Sequence, residues 1–303
     1  MDFVNRSVSN HHVTLSKAIQ QMYKGQDENY IGEFIDPDTQ QRVYYAINID
    51  GHGHDHCIKK LRQIDLVPFL MKPKPIESIA RFLEESRVVP FYISSGAVVS
   101  LALIYPDRIV LHNCGDSQSV VYANGKRIYI NVPHDAERED EAERVKTNTD
   151  YIGLEACRNI KLLSPNQMTP RPSIYVVYRG GRKLAPTRAI GHTNMLFHDA
   201  EVHEIALDPQ TTYRVVLCSD GVFDVALIDH EADHTIFTTG DATDIVGFYV
   251  TRWLQEWLYM ENETDTEPKH LFQYEAKDCD DVSACVIDIV PRFTEVEGTA
   301  DSF

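Results

Sequence analysis

Apolar, β-branched and aromatic residues gather along this chain in short runs separated by polar breaks, and these runs predict strands at 43–49, 108–113, 119–122, 127–130, 173–178, 213–218 and 283–290. Asn124 and Gly125, two residues that tolerate positive φ, stand between two of the runs and predict a hairpin. Helical spacing shows at Ile76, Ile79, Phe82 and Leu83 after a proline-marked start. It recurs at Ile245, Phe248, Tyr249, Arg252 and Trp253, with Asp241 placed to cap. Trp253 and Trp257 are expected to pack a helix onto a sheet. The charged run 134–146 mixes both signs at helical spacing and predicts a solvated helix face. Met168, Thr169, Pro170 and Pro172 read as loop. Antiparallel hairpins with long flanking helices predict an α+β layered protein.

With 303 residues, ordinary apolar content and no composition break, the chain is expected to form one domain over 1–303, with a peripheral tail after Pro291. Its net charge of −17 argues against nucleic acid and anionic lipid as partners and leaves carboxylates for cations. The start shows no signal-peptide core and no segment reads as a membrane span. The expectation is therefore a soluble, cytoplasmic protein whose six scattered cysteines are buried and reduced.

Four motifs follow one another: NIDGHG at 48–53, NCGDS at 113–117, CSDGVFD at 218–224 and DCDDVS at 278–283. Each sets an Asp where a strand is expected to run out into a loop, with the first strand stopping at Asp50. Four distant segments then bring carboxylates to one point. Asp50, Asp220 and Asp280 are candidate ligands for Mg²⁺ or Mn²⁺, which prefer oxygen donors, and Gly51 and Gly53 let backbone carbonyls approach an ion. His52 in the same loop has the chemistry of a general acid. Read alone, each motif is a turn. The cluster His52-Gly-His54-Asp55-His56 also comes within one residue of the HxHxDH zinc pattern of metallo-β-lactamase-like hydrolases. Its missing spacer puts Asp55 and His56 out of register, leaving His54, Asp55 and His56 as a loop and helix start.

Together these motifs resemble the metal-dependent protein phosphatases of the type 2C class, from about residue 24 to 289. SGA at 95–97 resembles that family's SGST segment, NCGDSQSVVYANGK its GDSRAVL stretch, TRAIG at 187–191 its SRAFGD element, VVLCSDGVFDV its LILACDGVWDV and DDVSACVIDI its closing DNMSVILI strand. The resemblance implies a four-layer αββα sandwich, two central antiparallel sheets flanked by helices, and a monomeric enzyme acting on phosphoserine or phosphothreonine in phosphoproteins. It implies two Mn²⁺ or Mg²⁺ ions bridged by Asp50, with Asp220 and Asp280 on the first ion and the Gly51 carbonyl on the second. A third position would use Asp116 and Asp224. Water between the metals would attack phosphorus directly, His52 would protonate the leaving oxygen, and Asp27 would support the cluster through water. A variable flap would occupy roughly 147–182.

The chain departs from the family at three places. Met22 stands where an arginine usually binds phosphate, leaving Lys24 as the substitute cation; His192 replaces the Asp that ends SRAFGD; and Asp281 replaces the Asn of the DN pair, adding charge beside the site. A catalytically silent module that binds phosphoproteins is the alternative these departures leave.

Overall fold

The two faces of each central strand serve different layers, because side chains alternate across a strand. The computed structural model describes residues 11–22, 24–86, 94–192 and 195–292. The first segment (1–10) and most of the expected peripheral tail (293–303) lie outside the described residues. One antiparallel sheet runs in the order β1 (His11–Gln20), β16 (Val282–Pro291), β13 (Tyr213–Cys218), β6 (Gln118–Ala123) and β7 (Lys126–Ile130). The other runs β12 (Glu201–Ala206), β5 (Arg108–Cys114), β4 (Ser95–Ile104), β3 (Arg42–Gly53) and β2 (Glu28–Ile35), with the short β11 (Ile190–Gly191) on β4. All seven predicted strands are present, and Asn124 and Gly125 turn β6 into β7 at φ 48° and 76°.

Ala46, Ala102, Leu111, Val121, Val215, Leu217, Cys285 and Ile287 meet between the sheets. From the same strands, Val43, Ile47, Ile49, Leu101 and Leu103 face outward onto α1 (His56–Leu61), α2 (Val67–Leu70) and α3 (Pro75–Glu85). On the opposite outer face Val120, Val216, Ala284 and Val286 pack against α6 (Glu231–Thr239) and α7 (Ala242–Trp253). Central strands are apolar on both faces because both are covered. The result is the α+β arrangement of two antiparallel sheets between helices. Asp241 caps α7, accepting from the N–H groups of Thr243 (2.7 Å) and Asp244 (2.9 Å), and Asp244 returns the bond to close a capping box.

A third sheet was not predicted. Its order is β10 (Arg182–Leu184), β9 (Gln167–Tyr178), β14 (Glu256–Tyr259) and β15 (His270–Gln273), with the long β8 (Tyr151–Ser164) paired to β9. The loop reading of Met168, Thr169, Pro170 and Pro172 is therefore corrected: all four lie in β9, and Met168 and Thr169 are buried. The two prolines sit two residues apart, so both missing donors belong to one edge. Opposite β8, β9 is paired only at its two ends, with β14 at Met168 and β10 from Val176. Trp257 is likewise corrected, since it lies on strand β14 rather than on a helix, while Trp253 ends α7 and docks on the β1–β16 sheet side.

The charged run does form α4 (Glu139–Val145), but its face is not simply solvated. Glu141 is 1% exposed, accepts from the Thr187 hydroxyl (2.6 Å) and pairs with the Arg188 guanidinium, whose Nε donates at 2.9 Å. Five of the six free cysteines are buried, and Cys157 on β8 is half-buried. Among the described residues no helix is long and apolar enough to cross a membrane.

A second buried charge network ties α6 to α7. Asp233 accepts from both Arg252 Nη atoms (2.6 and 2.9 Å), from the Tyr249 hydroxyl (2.7 Å) and from the N–H of Leu227 (3.1 Å). Asp233→Ala strands a guanidinium that is 5% exposed at the residue level, and is expected to cost about 3–5 kcal/mol in urea denaturation. A loss below about 1 kcal/mol would mean that water replaces the carboxylate.

Candidate metal centre

Strand alternation carries the first candidate residues to one end of the sandwich. Tyr44 and Ala46 of β3 face the space between the sheets, so Asn48, Asp50 and His52 continue along that face. Contrary to the sequence expectation, β3 does not stop at Asp50: pairing with β4 continues through Asp50↔Val98, Gly51↔Ala97, His52↔Gly96 and Gly53↔Ser95. Beneath the acids the Asn48 side-chain amide donates to Asn29 Oδ1 and Ser283 Oγ, both at 2.8 Å, tying β3 to β2 and β16.

The other acids arrive from separate segments. Asp27 immediately precedes β2 and is 1% exposed, Asp116 follows β5, and Asp220 and Asp224 bracket the single turn α5 (Asp220–Phe223). Asp280 lies between the 3-10 turn Ala276–Asp278 and β16. Gly221 is obligatory beside Asp220, because a Cβ there would stand 2.0 Å from the Asp281 carbonyl oxygen. The Trp253 indole N–H donates to the Gly221 carbonyl at 2.6 Å and fixes this turn against α7.

The carboxyl groups act on one another strongly. Burial pushes Asp27 up to about 8, with Asp281 and Asp220 adding and a Ser283 hydrogen bond opposing. Burial, then Asp280, pushes Asp220 up to about 6. Asp50 is raised well above the carboxylate range by burial and then by Asp220, Asp27 and Asp280. Asp116 is raised by burial, then by Asp220 and Asp135. Asp224 opens to solvent and lines a cleft of about 300 Å³ with Asn159, Lys161, Arg171 and Ser173 of the β8–β9 hairpin; desolvation by these crowded surroundings, then Asp220, Asp280 and Asp116, raises it too.

Lys24 answers part of this charge. Its Nζ sits 2.6 Å from Asp280 Oδ2. Burial works against its ammonium, but Asp280, then Asp220 and Asp50, hold its pKa above the ordinary lysine value. Its loop is clamped on both sides by one carboxylate, as Asp281 accepts from the N–H groups of Met22 and Gln26, each at 2.7 Å. The extra acid at 281 is thus a loop clamp, a role the sequence did not suggest. Met22, in the usual arginine position, packs into the apolar cluster under α7 instead of facing the acids.

His52 lies beside the cluster. Its Nδ1 is 2.8 Å from His192 Nε2, and burial, then His192 and Lys24, holds its pKa well below the usual histidine range. The rest of HGHDH lies apart from His52: His54 is exposed with its ring 6.1 Å from that of His56, and Asp55 precedes α1 and pairs with Lys59.

Among the described residues no three His, Cys, Asp or Glu side chains are drawn together as a ready ligand set. The donors nevertheless fit a hard divalent cation. Asp27 Oδ2 and Asp220 Oδ1 are buried oxygens without a hydrogen-bond partner among the described residues, and carboxylate oxygens are the donors Mg²⁺ and Mn²⁺ take. Asp27, Asp50, Asp116, Asp220, Asp224 and Asp280 are all brought into electrostatic reach.

Comparison with known proteins bears on the family and the fold. The chain is 28% identical over 134 residues to a probable protein phosphatase 2C 69 of Arabidopsis thaliana, a match covering 43% of this chain and 32% of that protein. It is 27% identical over 216 residues to protein phosphatase 2C 56 of the same plant, covering 64% and 45%. The chain thus spans a third to a half of the length of these relatives. Its fold is similar to serine-threonine phosphatase 2C from Toxoplasma gondii (TM-score 0.53, 11% identity, 91% of this chain and 94% of that one). It is similar also to the serine/threonine phosphatase PstP/Ppp of Mycobacterium tuberculosis (TM-score 0.53, 12% identity, 92% and 99%). The family model described as protein phosphatase 2C matches residues 28–234, most of the sandwich and all the acids from Asp50 to Asp224, and the chain belongs to that family.

Proposed function

We propose that this chain is a phosphoprotein phosphatase that hydrolyses phosphoserine and phosphothreonine and depends on Mn²⁺ or Mg²⁺. The observation that carries this reading is the convergence of six carboxyl groups from distant segments at one end of the sandwich, with His52 alongside. Asp50, Asp220 and Asp280, with the Gly51 carbonyl, would hold two ions, and Asp116 and Asp224 a third; Asp27 would support them through water. Bound there, such ions supply Lewis acidity toward a phosphoryl oxygen and a water of lowered pKa.

The chain's own groups supply the rest. Lys24 is on a clamped loop at the acid cluster and can turn its ammonium from Asp280 to a substrate phosphate, as a point charge without the fork of an arginine. His52 Nε2 gives its proton to the departing Ser or Thr oxygen. Because burial, then His192 and Lys24, keep the resting imidazole neutral, His52 takes up that proton as the phosphate dianion offsets the lysine charge. Acting on phosphoproteins as a cytoplasmic monomer, without nucleic acid or membrane, is part of the same proposal.

The test is hydrolysis of para-nitrophenyl phosphate and a phosphothreonine peptide by metal-stripped protein, with Mn²⁺, Mg²⁺ or Zn²⁺ restored. Activity should return with Mn²⁺ or Mg²⁺. His52→Gln should slow the peptide by about 10²–10⁴-fold and the aryl phosphate, whose leaving group needs no proton, far less. Folded protein inert with every ion would favour a phosphoprotein-binding module, and equal losses on both substrates would remove His52 as the acid.

A further inference from the structure

His192 is built into its place. The backbone there has φ 44°, in the left-handed region, and the His192 N–H donates to the Ser95 carbonyl at 3.0 Å. Gly96, opposite His52 in the β3–β4 ladder, makes the room, since a Cβ on it would meet His192 Cδ2 at 2.3 Å. The two imidazole planes are within 8° of parallel with centroids 4.7 Å apart. Between these near-parallel rings His192 Nε2 and His52 Nδ1 stand 2.8 Å apart, within hydrogen-bond distance.

Only one of the facing nitrogens can carry the proton between them, and the choice fixes what the far side of His52 can do. His52 Nε2 is buried and has no hydrogen-bond partner among the described residues. If His192 donated, His52 would carry its proton on Nε2 and bury that N–H with no acceptor among the described residues, whereas orphaned buried N–H groups are rare. We propose that His192 is a positioning residue: its Nε2 accepts the His52 Nδ1 proton, locking His52 in the Nδ1–H tautomer and leaving Nε2 as the atom that takes up and delivers a proton. The balance is then simple. His52 with both nitrogens protonated transfers the Nε2 proton to the leaving alkoxide and returns to the neutral Nδ1–H form, with the bond to His192 kept throughout. Phosphatase catalysis enters from the reading above, whereas the tautomer belongs to the protein alone.

Two measurements separate these levels. Nitrogen-15 NMR of the metal-free protein should find His52 protonated on Nδ1, the less common tautomer of free histidine; His192→Ala should return it to Nε2–H, and His192→Asn, whose amide oxygen can accept, should restore Nδ1–H. In metal-restored assays His192→Ala should lower kcat on the phosphothreonine peptide about 10–100-fold and on the aryl phosphate less than about threefold, with His192→Asn in between. His192→Ala should add little to His52→Gln. An Nε2–H tautomer in the parent protein, or a tautomer indifferent to residue 192, would overturn the proposal, as would equal losses on both substrates. The expected tautomers in a protein that turns over neither substrate would uphold the pairing and overturn the phosphatase reading instead.

Discussion

Replacing Asp220 with asparagine is expected to lower Mn²⁺- or Mg²⁺-stimulated hydrolysis by at least about 10³-fold while leaving the metal-free protein folded. Asp220 is the hub of the acid cluster, appearing among the charges that raise Asp27, Asp50, Asp116 and Asp224. Its Oδ1, like Asp27 Oδ2, is a buried carboxylate oxygen without a hydrogen-bond donor among the described residues. Asparagine keeps the shape at the start of α5 and the Gly221 approach to Asp281, but exchanges an anionic ligand for a neutral one. A protein held together by Asp220 would unfold on this change; one in which Asp220 is held against its neighbours' repulsion should melt at an equal or higher temperature at pH 8 without metal. Calorimetry of Mn²⁺ binding alongside turnover would check both halves, and unchanged affinity with unchanged rate would remove Asp220 from the centre.

Metal-free protein should be less stable at pH 8 than at pH 5, the reverse of what paired surface carboxylates produce. In the unfolded chain Asp27 and Asp220 ionise near pH 4, whereas in the folded protein they hold their protons to about 8 and about 6. Between those values the native state binds more protons than the unfolded one, so stability falls as pH rises through the window. The loss is on the order of several kcal/mol, or about 5–15 °C in melting temperature for a chain of this size. Mn²⁺ or Mg²⁺ should recover it, and most at the high end, where the carboxylates are ionised and no longer hold protons against the ion. Asp27→Asn should flatten the profile. A chelated protein whose stability rises steadily from pH 5 to 8 would show that these acids are not forced together.

Local pattern reached the central strands because their apolar runs are covered on both sides and leave little choice of structure. It failed where a partner decides. β1, reading HHVTLSKAIQ, is too polar to announce itself and is a strand because β16 pairs with it along its whole length. The prolines of β9 read as a loop until β8 is laid beside them. Trp257, four residues beyond Trp253, seemed to share its helix, but α7 ends at Trp253 and the chain turns to join the third sheet. At the site the acids were visible because each sits in a short recognisable motif. Lys24 on Asp280, Asp281 under the 22–26 loop and His192 against His52 were not, since each joins segments more than a hundred residues apart in the sequence.

The Asp281 clamp has a consequence for how the molecule comes into being. Met22 and Asp281 are 259 residues apart, and β1, the strand before that loop, finds its hydrogen-bonding neighbour in β16. At about 5–20 residues per second the first segment leaves the ribosome roughly 10–50 s before the last one exists. Throughout that interval a nascent chain presents the 22–27 loop with nothing to hold it, and the open flank of β13 waits for β16. Neither Asp280 nor the clamp can join the other acids until synthesis has passed residue 281. The acid cluster of a nascent chain is therefore expected to stay incomplete until β16 has been made, and a stalled chain that stops before residue 280 should show no Mn²⁺ binding at this site.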